Sequence, residues 1–216
     1  MLIIAFALYE RLLGSLAAGE GVDDYLSYVT VQTNLIGAVV FGMGAVFALA
    51  RNRDPRWFTL VRAGAVSYLA AMAVLYLGIY GPGALVGGFF FSPTNQIMHI
   101  IIPAFAIIDW TSVRGRTRLP WTAVAVIMAY PVAWIALTVV RGAITGWYPY
   151  EFLDPQMAGG PGRVAVFAGL ILVTMALLAW GAVAINRRAT RPRVVPLRQP
   201  ASPAPIRVER ERTLQQ

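Results

Sequence analysis

Cysteine is absent from this chain, lysine is absent, and histidine occurs once, at position 99. The first absence excludes disulfides and thiol catalysis. A single histidine without cysteine excludes the His/Cys clusters that hold transition metals, and neither a metal nor another cofactor is expected. Charge is scarce as well, at 13% of residues, where a soluble chain carries about a quarter. With 58% hydrophobic residues and a mean hydropathy of +0.63, that scarcity excludes an ordinary soluble domain and points to one polytopic membrane bundle. All 18 basic residues are arginine, a bias that carries no mechanistic weight. The net charge of +8 and pI near 10.4 do not indicate a nucleic-acid partner. The arginines lie at the ends of apolar segments and in the tail, as membrane anchoring requires.

What is present is a series of long apolar runs. A helix crosses the hydrocarbon core with about 20 residues. Segments 26–50, 64–80, 95–110, 121–140 and 164–186 meet or approach that length. A further segment, 1–18, is apolar but interrupted by Glu10-Arg11. It reads as a signal peptide lacking a basic start, as a first helix with an ion pair facing the bundle, or as the result of a late start. The first-helix reading is preferred. Loops 51–62 (Arg51, Arg53, Arg56, Arg62) and 111–120 (Arg114, Arg116, Arg118) are basic. Loop 19–25 is acidic, 81–94 is uncharged and 141–163 is mixed, so basic and non-basic loops alternate. The expected fold is therefore all-α: a single bundle of six transmembrane helices over 1–186, or five without the first. Both termini would be cytoplasmic in the plasma membrane under the positive-inside rule. The Pro/Arg-rich stretch 187–216, with eight arginines, is expected to be a disordered cytoplasmic tail able to touch anionic lipid.

Polar residues inside apolar helices mark the interior. Ser27, Thr30, Thr33, Asn34 and Gly37 are spaced by three and four, so most share one face, with Gln32 off the stripe. Such a stripe serves either as interhelical hydrogen-bond glue or as the wall of a site. Asn95 and His99 share a face too, and Pro103 four residues further frees a backbone carbonyl near residue 99 and can kink the helix. Asp109, at the end of the same segment, pairs most simply with the arginines of loop 111–120. Thr30 and His99 each lie about four residues, roughly 6 Å, inside the same boundary of the membrane. They meet if their helices are neighbours. An imidazole that reaches a threonine hydroxyl can remove its proton and later protonate a leaving group, within about 3.2 Å or somewhat more in a ligand-free site. Amides such as Asn34 or Asn95 can then donate to an oxyanion. No carboxylate is placed at that depth to orient the histidine, unless Glu10 or Asp24 reaches it. The bland reading of His99 is a hydrogen-bonded packing residue. Loop 142–162, dense in Trp and Tyr, is either an interfacial belt or a rim over a lipid-facing cavity.

Three segments are recognisable. Tyr28-Val29-Thr30-Val31-Gln32-Thr33-Asn34-Leu35 resembles the aromatic-x-Thr-x-Gln-x-Asn segment of bacterial relatives of the androgen-induced protein family. Asn95 to Trp110, with His99 and Pro103, resembles the second signature of that family. Gly146-Trp147-Tyr148-Pro149-Tyr150-Glu151-Phe152-Leu153 resembles the third, a Tyr-Pro loop. The resemblance spans roughly 25–186, and the order and spacing of the three carry more weight than any one. The family includes the androgen-dependent TFPI-regulating protein. Its members are multi-pass hydrolases of fatty acid esters of hydroxy fatty acids. The resemblance implies Thr30 as nucleophile and His99 as base. Asn34, Asn95, Gln32, Trp147 and Tyr148 are the candidate oxyanion or substrate-binding residues. The expected partners are the bilayer and a membrane lipid substrate. The rival readings are a non-enzymatic lipid-binding or transport protein, disfavoured by the lack of an internal repeat, and a structural or assembly factor.

Overall fold

Long uncharged apolar runs satisfy their backbone amides within a membrane by forming helices, and helices are what this chain forms. The computed structural model describes residues 2–50, 54–81, 92–112 and 115–190. Their elements are α1 (Leu2–Ala17), α2 (Val22–Ser27), α3 (Val29–Ala50), α4 (Arg56–Tyr80), α5 (Pro93–Gln96), a π-helical turn (Ile97–Ile101), α6 (Ile102–Ser112), α7 (Ala123–Thr145), a 3-10 turn (Glu151–Leu153), α8 (Pro155–Ala158) and α9 (Pro161–Ala189). No strand occurs among the described residues. Four helices are long and apolar enough to cross a membrane: α3, α4 as far as Gly78, α7 and α9. The shorter α1, of 16 residues, packs on α3, and α6 packs on α4.

Local chemistry sets the boundaries. Pro161 opens α9, where a missing N–H costs nothing. Gly146 closes α7 in the left-handed region, at φ 72°. Asp154 caps α8 by accepting from the Gln156 N–H at 2.8 Å. α9 runs to Ala189, so the bundle extends past the expected boundary at 186. The tail from 191 onward, most of loop 81–94, and Arg51, Arg53 and Arg114 lie outside the described residues.

The central helix differs most from expectation. Segment 64–80 was expected to follow a basic loop, but α4 begins at Arg56 and takes Arg62 into the bundle. Arg62 is 7% exposed. Its Nε and Nη2 donate to Asp109 at 3.0 and 2.7 Å, and its Nη1 donates to Asp54 at 2.9 Å. Asp109 does meet an arginine, but from α4 rather than from loop 111–120. Arg116 of that loop lies over the Trp110 ring, 4.1 Å from its centroid. Burial, with Arg62 adding, brings the Arg116 guanidinium down to about 10, so it remains a cation at neutral pH. In α4, 67% of the membrane-length window is buried against 22–33% in the other three long helices. Ala63, Ala65, Ser67, Ala70 and Ala71 let its neighbours approach closely.

The bundle has two polar ends. At one, Asp54, Arg62, Asp109, Thr117 and Asn186 join the start of α4 to the ends of α6 and α9. At the other, the end of α1, the start of α3 and the end of α7 meet the aromatic loop. There Arg141 holds Asp24 at 2.6 Å and Asp23 at 3.2 Å. Glu10 and Arg11 were expected to face the bundle together, but they are split. Glu10 is exposed, and Arg11 turns toward this second end.

Candidate active site

The site begins with a broken helix. Tyr28 adopts φ −67°, ψ 122°, ending α2 so that α3 starts at Val29. A break inside an apolar segment frees carbonyls that need donors. The Gln32 amide donates to Leu26 O at 2.8 Å, and the Trp134 indole donates to Ser27 O at 3.1 Å. Gln32 Oε1 in turn accepts from the Tyr130 hydroxyl at 2.8 Å. The break places Thr30 in the first turn of a 22-residue helix. First-turn N–H groups have no partner within their helix and carry partial positive charge.

His99 is presented by a second irregularity. Residues Ile97–Ile101 form a π turn, in which the Ile102 N–H bonds to Ile97 O. Pro103 explains it. In a regular helix its ring would clash with the carbonyl four residues back, which belongs to His99, and a wider turn removes that clash. Such turns recur at functional sites. The turn aims the imidazole at α3. His99 Nε2 lies 3.4 Å from Thr30 Oγ1, and Nδ1 lies 3.1 Å from Asn95 O. A carbonyl only accepts, so Nδ1 carries a proton, and in the neutral imidazole Nε2 is left as the acceptor. Tyr76 stacks on the ring at 4.1 Å between centroids.

The hydroxyl has a second neighbour, the phenol of Tyr150, at 3.2 Å. The Thr30 N–H donates to that phenol oxygen at 3.4 Å. With Nε2 as acceptor, the single hydroxyl proton of Thr30 points to His99, and the Tyr150 proton then points to Thr30 Oγ1. The chain of donors closes consistently, from the Thr30 amide through Tyr150 and the Thr30 hydroxyl to His99, and from His99 to the Asn95 carbonyl.

These groups line a cavity of about 820 Å³. Its walls include Thr30, Asn95, His99, Trp147, Tyr148 and Tyr150, with Tyr28, Trp134 and Phe152 beside them. Tyr28 makes edge contacts with Trp147 at 5.9 Å and Tyr150 at 5.5 Å. The aromatic loop is thus a wall of the cavity. Gly142 lets it settle there, because a Cβ at that position would collide with the Tyr148 ring.

The candidate residues separate into three groups. Thr30, His99, Asn95, Trp147 and Tyr148 reach the cavity. Asn34 lies behind it: fully buried, its amide donates to Thr30 O at 2.8 Å and Met98 O at 3.4 Å. Its donors are committed to tying α3 to the π turn, so none is aimed at an oxyanion. Gln32 stabilises the break and lines a separate cavity of about 270 Å³. The orienting group for His99 is a backbone carbonyl, since Glu10 is exposed and Asp24 is held by Arg141. Sequence reasoning singled out Trp147 and Tyr148 and passed over Tyr150, two residues on in the same motif. It also passed over Tyr76 and Glu20, for which no spacing offered a signal, and read Arg11 only as half of an ion pair with Glu10.

Chemically, the arrangement offers a hydroxyl with an acceptor nitrogen, a phenol donor and a helix start beside a mostly apolar cavity. No family model, no curated protein and no solved structure matches this chain.

Proposed function

We propose that this protein is a membrane-embedded hydrolase of lipid esters, with Thr30 as nucleophile and His99 as base. The observation that carries the reading is the 3.4 Å contact between Thr30 Oγ1 and His99 Nε2, in a tautomer set by Asn95 O, at the wall of a lipid-sized cavity. Contacts of this length are common in ligand-free sites and tighten with substrate. Thr30 Oγ attacks the ester carbonyl while its proton passes to His99 Nε2. The tetrahedral oxyanion takes hydrogen bonds from Tyr150, from Asn95 and from the start of α3. Collapse expels the alcohol, which takes the proton from His99, and leaves the acyl group on Thr30. Water, deprotonated by His99, then attacks the acyl carbon, and Thr30 Oγ leaves as it takes that proton back, which releases the acid.

The resemblance of three segments to the androgen-induced protein family supports this assignment of roles and suggests esters of hydroxy fatty acids as first substrates to try. In this reading α1 and the run from α5 to α6 join the four long helices as a six-helix bundle. Both termini are cytoplasmic, the site lies near the outer face of the plasma membrane, and the ester enters laterally from the bilayer. A fluorophosphonate probe tests the chemistry. The wild type should gain one adduct, mapped by mass spectrometry to Thr30, and Thr30→Ala should gain none. Equal labelling of the two would end the assignment.

A further inference from the structure

The same cavity has a polar corner that the chemistry of Thr30 and His99 does not use. Glu20 lines it, and its Oε1 accepts from the Tyr28 hydroxyl at 2.8 Å. Its Oε2 is buried with no hydrogen-bond partner among the described residues. A buried carboxylate oxygen without a donor is costly, and Glu20 is part of the cavity wall. Arg11 lines the same cavity, its guanidinium 5.1 Å from the Tyr28 ring centroid. The corner therefore holds one strong acceptor and one strong donor, separated by a phenol.

Charge narrows the ligand. The ionisable carboxylates and guanidinium around the cavity are Glu20, Glu151 and Arg11, two acids against one base. A free carboxylate or phosphate would gain from Arg11 and lose against the acids. A quaternary ammonium head at this corner would need an open aromatic face there, and Arg11 already lies over Tyr28 and Arg141 over Trp147 at 4.4 Å. A hydroxyl group meets both needs, donating to the Glu20 carboxylate and accepting from Arg11.

We propose that Arg11, Glu20 and Tyr28 form a headgroup subsite for uncharged, hydroxyl-bearing lipids, so that partial acylglycerols are preferred over esters with a free carboxylate. The proposal rests on the hydrolase reading for its kinetic test, and it departs from the substrate that the family resemblance suggests.

Purified full-length protein in detergent is given three esters of one acyl chain: a 1-monoacylglycerol, a methyl ester with no head, and an ester of a hydroxy fatty acid carrying its free carboxylate. The expected kcat/KM for the monoacylglycerol exceeds that of the methyl ester about tenfold, the scale of one hydrogen bond to a charged group, with the carboxylate ester poorest. Glu20→Gln and Arg11→Gln each bring the ratio of monoacylglycerol to methyl ester toward one, and exposed Glu10→Gln leaves it in place. The proposal is overturned if the carboxylate ester is the best of the three, or if the ratio survives both cavity substitutions. A second measurement keeps the two readings apart. Should no ester be turned over, the hydrolase assignment fails, and an uncleavable monoalkylglycerol ether decides the subsite by thermal shift. Stabilisation of the wild type that Glu20→Gln abolishes supports the subsite. Equal stabilisation of both, or none, overturns it.

Discussion

At the scale of single residues, Thr30 and Tyr150 are separable by what each contributes. Thr30→Ala removes the proposed attacking atom, so turnover of any ester should fall on the order of a thousandfold or more. Thr30→Ser keeps the oxygen and should remain labelled by a fluorophosphonate. Tyr150→Phe keeps the ring, with its contacts to Tyr28 and Phe152, and deletes only the phenol that bridges the Thr30 amide and hydroxyl. Losing one such donor costs about a hundredfold in kcat. The expected signature is therefore a fall of that size in kcat with KM nearly unchanged, and probe labelling that is slowed but still complete. An unchanged kcat would make Tyr150 a packing residue. The contrast also marks what the sequence could reveal. Thr30 and His99 were found because each is polar in an apolar run and the two share a depth. Tyr150 was not, because its role depends on a contact across 120 positions made by an irregular loop, and spacing within a motif gives no direction to a side chain there.

At the scale of elements, two departures from regular helix build the site, and each has a sequence cause of different visibility. The alternation Tyr28, Thr30, Gln32, Asn34 now reads residue by residue: a break, the proposed nucleophile, a donor to the freed Leu26 carbonyl, and a tie to the Met98 carbonyl. A helical-face reading captured Thr33, Asn34 and Gly37, which are buried, but left Gln32 unexplained. The break at Tyr28 changes the phase of the helix and is encoded by no proline or glycine. The π turn was more legible, since Pro103 pointed to the carbonyl of residue 99. That turn predicts an inversion of the usual trend. Pro103→Ala restores an N–H and removes the clash, so a regular α-helix becomes accessible. The variant should be as thermostable as the wild type or more so, because alanine supplies the helical N–H that proline lacks and is the better helix former. Loss of one residue from the turn rotates His99 by about 100° away from Thr30, and activity should fall at least tenfold. Asn34→Asp tests the other support. It replaces a donor with an acceptor facing two carbonyl oxygens, and should lower stability by about 2 kcal/mol or more in a detergent melt.

At the scale of the whole molecule, the cluster that anchors the bundle lies at the opposite polar end from the proposed catalytic groups. The alternation of basic and non-basic loops anticipated helices that reverse at each connection, and it anticipated that Asp109 would pair with an arginine. It misplaced Arg62. A charge-based rule puts arginines in loops, whereas Arg62 is drawn inside by two carboxylates, from Asp54 and Asp109, that arrive from different parts of the chain. Hydropathy sees one residue and not its partners. The arrangement makes a graded prediction for stability. Asp109→Asn or Asp54→Asn removes one acid and leaves Arg62 the other, so each loss is partial. Arg62→Gln strands two half-buried carboxylates at once, and breaking a buried pair costs up to about 3–5 kcal/mol. Denaturation of the purified protein should therefore rank Arg62→Gln as the most destabilising of the three. Its folded fraction should still take the fluorophosphonate at Thr30, because the cluster ties the start of α4 to the ends of α6 and α9, while the site lies where α3 begins and α7 ends. Weaker destabilisation by Arg62→Gln than by Asp109→Asn would mean that the guanidinium is held by something other than these two acids. Loss of labelling in the folded fraction would mean that the two ends are coupled along α4, the helix that also carries Tyr76 to the face of the His99 ring.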